Sequence, residues 1–169
     1  MFSQNEDVLP FREIPDYPDT YTANLVAARM IDGLGFRYYW ASEGLRTEDL
    51  LYKPSSDARD AQETIDHIYS LSKFIRNNML PTNKDTSDKI SDFKIKRQQT
   101  LMNLKAVSDA LISTDQPFDL KQTTVPFWNI INGPVEDAVW HCGQVVMMRR
   151  ASGNPFTSNV SLFSGQVKK

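Results

Sequence analysis

Histidine and cysteine are scarce in this chain: two histidines and one cysteine among 169 residues. With Cys142 alone, no internal disulfide can form, so the fold does not depend on an oxidising compartment and a cytoplasmic location is the expectation. The same scarcity excludes a paired-cysteine metal motif, and neither a Gly-rich phosphate loop nor a nucleophile elbow occurs. No charge sign dominates: 19 Lys and Arg stand against 21 Asp and Glu, a net charge of −2. That balance offers no large basic field, so nucleic acid and acidic lipid are not expected partners. No apolar run approaches the roughly 20 residues that span a bilayer, and no membrane association is expected. Met1–Asp7 is polar and acidic, without the basic region and apolar core of a secretory signal, although a signal peptide already removed would leave no trace.

What is present is helical periodicity. Pro10, Pro15 and Pro18 hold the first 20 residues as an extended arm. From Thr22, a plausible N-cap, to about Leu45, apolar residues recur at three and four (Ala27, Met30, Leu34, Tyr38, Ala41), with Gly33 and Gly35 marking a bend or a close helix approach. Thr47–Leu51 adds one turn before the Lys53-Pro54-Ser55-Ser56 loop. A second helix is expected from Asp60 to Asn77, opened by a capping box between Asp60 and Glu63. A third is expected from Ser87 to Ile112, with Lys89, Lys94, Lys96, Arg97 and Lys105 as its solvated face. A fourth is expected from about Asn132 to Arg150, with Pro134 in its first turn. Together these imply a single all-α domain, an antiparallel four-helix bundle with its core in residues 22–151 and an extended tail over 152–169.

Each histidine lies inside a helical stretch. Asp137 precedes His141 by four residues, which puts carboxylate and imidazole on one helix face. Ala138, His141, Val145 and Met148 also share a face, turning His141 towards the interior or its rim. If His67 faces them from the second helix, His67, Asp137 and His141 form a two-histidine, one-carboxylate set of the kind that binds a divalent metal with open positions. A structural ion pair or a hydrogen-bonded polar core explains the same residues. Glu63 is accounted for by its cap and Glu136 by solvation. Cys142 is turned about 100° from His141 and reads as a buried, inert thiol. Trp40, Tyr38, Tyr39, Trp128 and Trp140 read as core aromatics.

Three segments carry a family resemblance: Arg37-Tyr38-Tyr39-Trp40-Ala41-Ser42-Glu43-Gly44-Leu45, Thr64-Ile65-Asp66-His67-Ile68 after a serine-rich loop, and Trp140-His141-Cys142-Gly143-Gln144. Over roughly residues 22–155 the chain resembles the DinB/YfiT-like metalloenzymes. The resemblance implies a four-helix bundle, often dimeric, whose divalent metal is held by one histidine on the second helix and two on the last. His67 and His141 would then be the first and third ligands. Asp137 stands where the family places its middle histidine, implying a two-His, one-Asp site for Zn, Ni, Mn or Fe. The implied activity is water or thiol activation on a small-molecule substrate, such as a low-molecular-weight thiol, by S-transfer, isomerisation or hydrolysis. The alternative is a non-catalytic bundle with a structural metal or none.

Overall fold

The protein is mostly helical in this computed structural model, which describes residues 9–87 and 89–168. The first eight residues of the expected arm, Asp88 of the expected third helix and Lys169 of the tail lie outside the described residues. Four long helices, α1 (Ala23–Ser42), α3 (Ala61–Met79), α4 (Phe93–Ile112) and α6 (Glu136–Ala151), enclose one core. Two single turns accompany them, α2 (Thr47–Leu50) and α5 (Phe127–Ile130), the latter running through a π-helical segment, Ile131–Val135, into α6. α1 packs on α4 and α6, and α3 packs on the same two helices. Phe36, Ile65, Ile68, Ile75, Leu101, Leu104 and Val145 meet in the interior, all essentially inaccessible to water. No described helix is long and apolar enough to cross a membrane.

Local chemistry sets the helix starts. Thr22 accepts from the Leu25 N–H and Asp92 from the Ile95 N–H, while Asp60 and Glu63 complete the expected reciprocal box at the start of α3. Each such cap is worth about 1 kcal/mol. α4 begins six residues later than periodicity suggests, because the segment before it is occupied otherwise. Asn77 bonds both the Asp85 N–H and its carbonyl, Asp85 accepts from Ser87, and Asn103 donates to Asp85 at 2.9 Å. These bonds pin the connection against α3 and α4 and compete with helix.

Two expectations for α4 and the aromatics are corrected. Lys96 and Arg97 are not part of a solvated face; both are buried. Lys96 pairs with Asp66, and Arg97 stacks over the Tyr39 ring at 4.6 Å while donating to Ser42 Oγ and the Tyr39 carbonyl and pairing with Glu43. Their long stems pack as apolar matter and their charges are met by partners on α1 and α3. Trp128 and Trp140 are about three-quarters exposed, so they are not core, whereas Tyr38, Tyr39 and Trp40 are.

The last long helix also departs from expectation. Pro134 is not in a first turn but inside the π segment, downstream of α5. Proline lacks an N–H and its ring clashes with the carbonyl four residues back, here that of Ile130, and the wider π turn relieves both faults without ending the helix.

The extended tail is borne out in part: Val160–Ser161 and Gln166–Val167 form a short antiparallel hairpin, β1 and β2. It is tied to the arm by the Ile14 N–H to the Gly165 carbonyl, by Gln166 Nε2 to the Ile14 carbonyl and by the Val167 N–H to Glu13, each at 2.8 Å. Gly35 marks a close approach, though of the arm rather than of a helix: a Cβ there would lie 2.5 Å from the Phe11 ring.

Candidate metal centre

α3 and α6 bring the sequence-predicted residues together. His67 projects from the middle of α3, and Asp137 and His141 project from the first turns of α6. His67 Nε2 lies 3.2 Å from Asp137 Oδ2, and His141 Nε2 lies 3.3 Å from Asp137 Oδ1. The imidazoles stand edge to face, 4.7 Å between centroids at 88°. The potential donor atoms of the three residues lie within 4.8 Å of one another. An ion held tetrahedrally at about 2.0–2.1 Å requires donors about 3.3–3.4 Å apart, close to the two His–Asp separations, each of which runs to a different oxygen of the carboxylate. The group can hold a metal ion.

The surroundings favour ligation by Nε2. His141 Nδ1 lies 2.7 Å from Gln144 Oε1, an acceptor that suits a proton on Nδ1, the tautomer that would turn the Nε2 lone pair to a metal ion. Gln144 sits one turn along α6, and its position in the His-Cys-Gly-Gln run was the sequence signal for that role. The side chains of His67 and Asp137 are 34% and 41% exposed and that of His141 15%, so the cluster opens to solvent on one side and is packed on the other. Among the described residues no fourth histidine, cysteine, aspartate or glutamate joins the group.

The neighbouring ionisable groups are committed elsewhere. Glu63 is held by the Asp60 N–H at 2.9 Å and lies near Lys53, and it does not join the cluster. Asp66, adjacent to His67, pairs with Lys96 and accepts from Gln62 at 2.7 Å. Glu136 is exposed. Cys142 is buried, and burial pushes its thiol up to about 12, so it offers no thiolate at neutral pH. The site residues expected from sequence therefore converge, and the residues set aside remain apart.

A pocket of about 320 Å³ adjoins the cluster through His141 and Gln144. Two larger apolar grooves, of about 500 and 740 Å³, lie around Tyr17 and Phe163 and around Phe127 and Trp128. Neither is lined by a histidine, cysteine or carboxylate, and His141 is the member of the cluster that lines the smaller pocket. Comparison of the chain with family models, with curated proteins and with solved structures gave no match.

Proposed function

We propose that the protein is a divalent-metal-dependent enzyme whose ion is held by His67, Asp137 and His141, in a four-helix bundle of the DinB/YfiT-like type. The observation that carries this reading is the convergence of both Nε2 atoms on one carboxylate at 3.2 and 3.3 Å, from helices that meet only through tertiary packing. The resemblance of the segments around His67 and His141 supports it, and the solvent-facing opening suits catalysis better than a closed structural site. The donor set of two imidazoles and one carboxylate suits Zn²⁺, Ni²⁺, Mn²⁺ or Fe²⁺.

Held by these three residues, a divalent ion would lower the pKa of a bound water or thiol and so would supply a nucleophile near neutral pH. The chain's own residues do the rest. Gln144 holds His141 in the ligating tautomer. Asp137 spans the two imidazoles and brings a negative charge that three histidines would not, which makes the site a harder donor set. Packing of Ala138, Val145 and Met148 against the core fixes the α6 face that carries His141. The substrate is a small molecule, with a low-molecular-weight thiol undergoing S-transfer, isomerisation or hydrolysis as the class the resemblance implies. A homodimer is part of the same reading.

Elemental analysis of protein purified without chelator is the direct test, alongside His67→Ala and Asp137→Ala variants shown to be folded. Near-stoichiometric metal in the parent and its loss in both variants supports the proposal. A parent that stays empty after reconstitution with Zn²⁺, Mn²⁺, Ni²⁺ and Fe²⁺ overturns it and leaves the three residues as a structural polar cluster in a non-catalytic bundle.

A further inference from the structure

The pocket beside His141 carries a recognisable polarity. It is lined by Pro54, Arg59, Thr64, His141, Gln144 and Met147, among others, and contains no aspartate or glutamate. Arg59 is its one permanently charged residue and forms no ion pair within the described residues. Gln144 has its Oε1 committed to His141, so only its NH₂ group remains to meet a ligand. Thr64 donates its hydroxyl to the Asp60 carbonyl at 2.9 Å and is buried. The side-chain donors this pocket leaves for a ligand are the Gln144 NH₂ group and the Arg59 guanidinium, a planar cation.

The loop that presents Arg59 is held in place. The Ala58 N–H bonds the Ser55 carbonyl and the N–H of Ala61, the first residue of α3, bonds the Tyr52 carbonyl, each at 3.3 Å. Arg59 thus stands exposed between these two bonds, beside the N-terminus of α3. The remaining walls, from Pro54, Ala58, Met147 and Met148, are apolar. An acceptor-only anion on a short aliphatic body complements such a lining, and a guanidinium fork fits a carboxylate with two parallel bonds.

We propose that the substrate of the centre is a small molecule bearing a carboxylate that Arg59 grips, with a short aliphatic body along Met147 and its reacting end at His141. The inference rests on the metal-centre reading and deepens it by naming the substrate class. Arg59 is a specificity residue: it selects which molecule reaches the cluster and has no part in holding the ion.

Cobalt-loaded protein tests this through binding alone. The visible absorption of Co²⁺ is followed while 3-mercaptopropionate, and separately the neutral 3-mercapto-1-propanol, is titrated in, for the parent and for Arg59→Gln and Arg59→Lys. Cobalt content is measured in every sample. The ion attracts the anionic probe in all variants, so the quantity read is the part of the preference that depends on Arg59. The parent is expected to prefer the carboxylate probe by about fivefold more than Arg59→Gln does, with Arg59→Lys between them and the difference shrinking in 1 M salt. An equal preference in parent and Arg59→Gln, with cobalt fully bound in both, overturns the carboxylate assignment and leaves the metal centre standing. Failure of the parent to bind cobalt overturns the metal centre, and the substrate assignment falls with it.

Discussion

Gln144 Oε1 lies 2.7 Å from His141 Nδ1, on the far side of the imidazole from Asp137. The amide carbonyl can only accept there, so it favours a proton on Nδ1, and a metal ion would then be met by the opposite nitrogen. Hydrogen bonds of this kind to a ligating histidine typically contribute about 10- to 100-fold in metal affinity. Gln144→Ala is expected to weaken Zn²⁺ binding by that order while leaving the thermal midpoint near that of the parent. Gln144→Glu keeps an acceptor at the same place and should hold affinity at or above the parent's. Competition with a chromophoric chelator measures both variants, and unchanged affinity in Gln144→Ala would remove the tautomer argument.

Asp137 offers a second test, because it stands where the resemblance places a histidine. Asp137→His turns the set into three imidazoles on the same two helices. It is expected to retain near-stoichiometric Zn²⁺, whereas Asp137→Ala loses the metal and leaves the two imidazoles 4.7 Å apart without their shared carboxylate. Metal content by elemental analysis separates the two. Loss of metal in Asp137→His as well would mean that this backbone does not accept the three-histidine arrangement.

Acid sensitivity should come largely from Asp49. Its side chain is inaccessible and accepts from Arg46 Nε and NH2 at 3.0 and 2.8 Å, from Ser152 Oγ at 2.6 Å and from Asn154 Nδ2 at 2.6 Å. The bonds from Arg46, foremost, and those from Ser152 and Asn154 hold its carboxyl well below the usual carboxylate range. A depressed folded-state pKa stabilises fully above the unfolded value of about 3.9, and that contribution is lost as pH falls below it. Asp49→Asn is therefore expected to cost about 2 kcal/mol at pH 7, with the gap from the parent closing below about pH 4. Urea unfolding at pH 7, 4 and 3 reads the convergence. Asp32 acts in the opposite sense, since burial raises its carboxyl and its charged form burdens the fold above the unfolded value.

Arg149 joins two ends of the fold. Its guanidinium donates to the carbonyls of Trp40, Ala41 and Asn154 at 2.9, 3.1 and 2.7 Å, and so terminates α1 while anchoring the chain after α6. Arg149→Met preserves apolar volume but orphans buried carbonyls, at an expected cost of about 2–4 kcal/mol. The midpoint of urea unfolding should fall with the slope unchanged; a shift within error would mean that water replaces the guanidinium.

The parts of this fold that were legible in the sequence are those governed by local chemistry. Thr22, Asp60 and Glu63 announce their helix starts because a cap needs only residues within one turn. Asp137 and His141 were readable as a pair for the same reason, four residues apart on one helix. That His67 meets them follows from how α3 packs on α6, for which spacing carries no information; the residue types raised the set only as a condition, the resemblance strengthened it, and the geometry brings the three together. Lys96 and Arg97 were misread because a charged residue announces solvation unless its partners are known, and Asp66 and Ser42 lie on other helices, with Glu43 at the C-cap of α1. The late start of α4 was hidden similarly, in bonds from Asn77 and Asn103 to Asp85. The π segment eluded periodicity because Pro134 signals a helix start far more often than a widened turn.

The arm makes its own falsifiable demand on α1. Phe11 is buried against Gly35 with φ of +69°, a left-handed conformation uncommon for an aromatic residue, so packing must outweigh local strain there. A methyl group at position 35 would overlap the ring at 2.5 Å and neither α1 nor the ring can yield without moving the arm. Gly35→Ala improves helix propensity by about 1 kcal/mol, yet overpacking of this kind costs about 1–3 kcal/mol, so a net loss of stability is expected. Phe11→Ala removes the clash as well as the ring's burial. If the contact governs the site, the double variant will be less destabilised than the sum of the two single variants and at least as stable as Phe11→Ala alone, because the helix then gains from alanine without obstruction. Strict additivity in the cycle would show that the Phe11 ring does not rest on Gly35, and with it would go the account of why this helix carries a glycine among its buried residues.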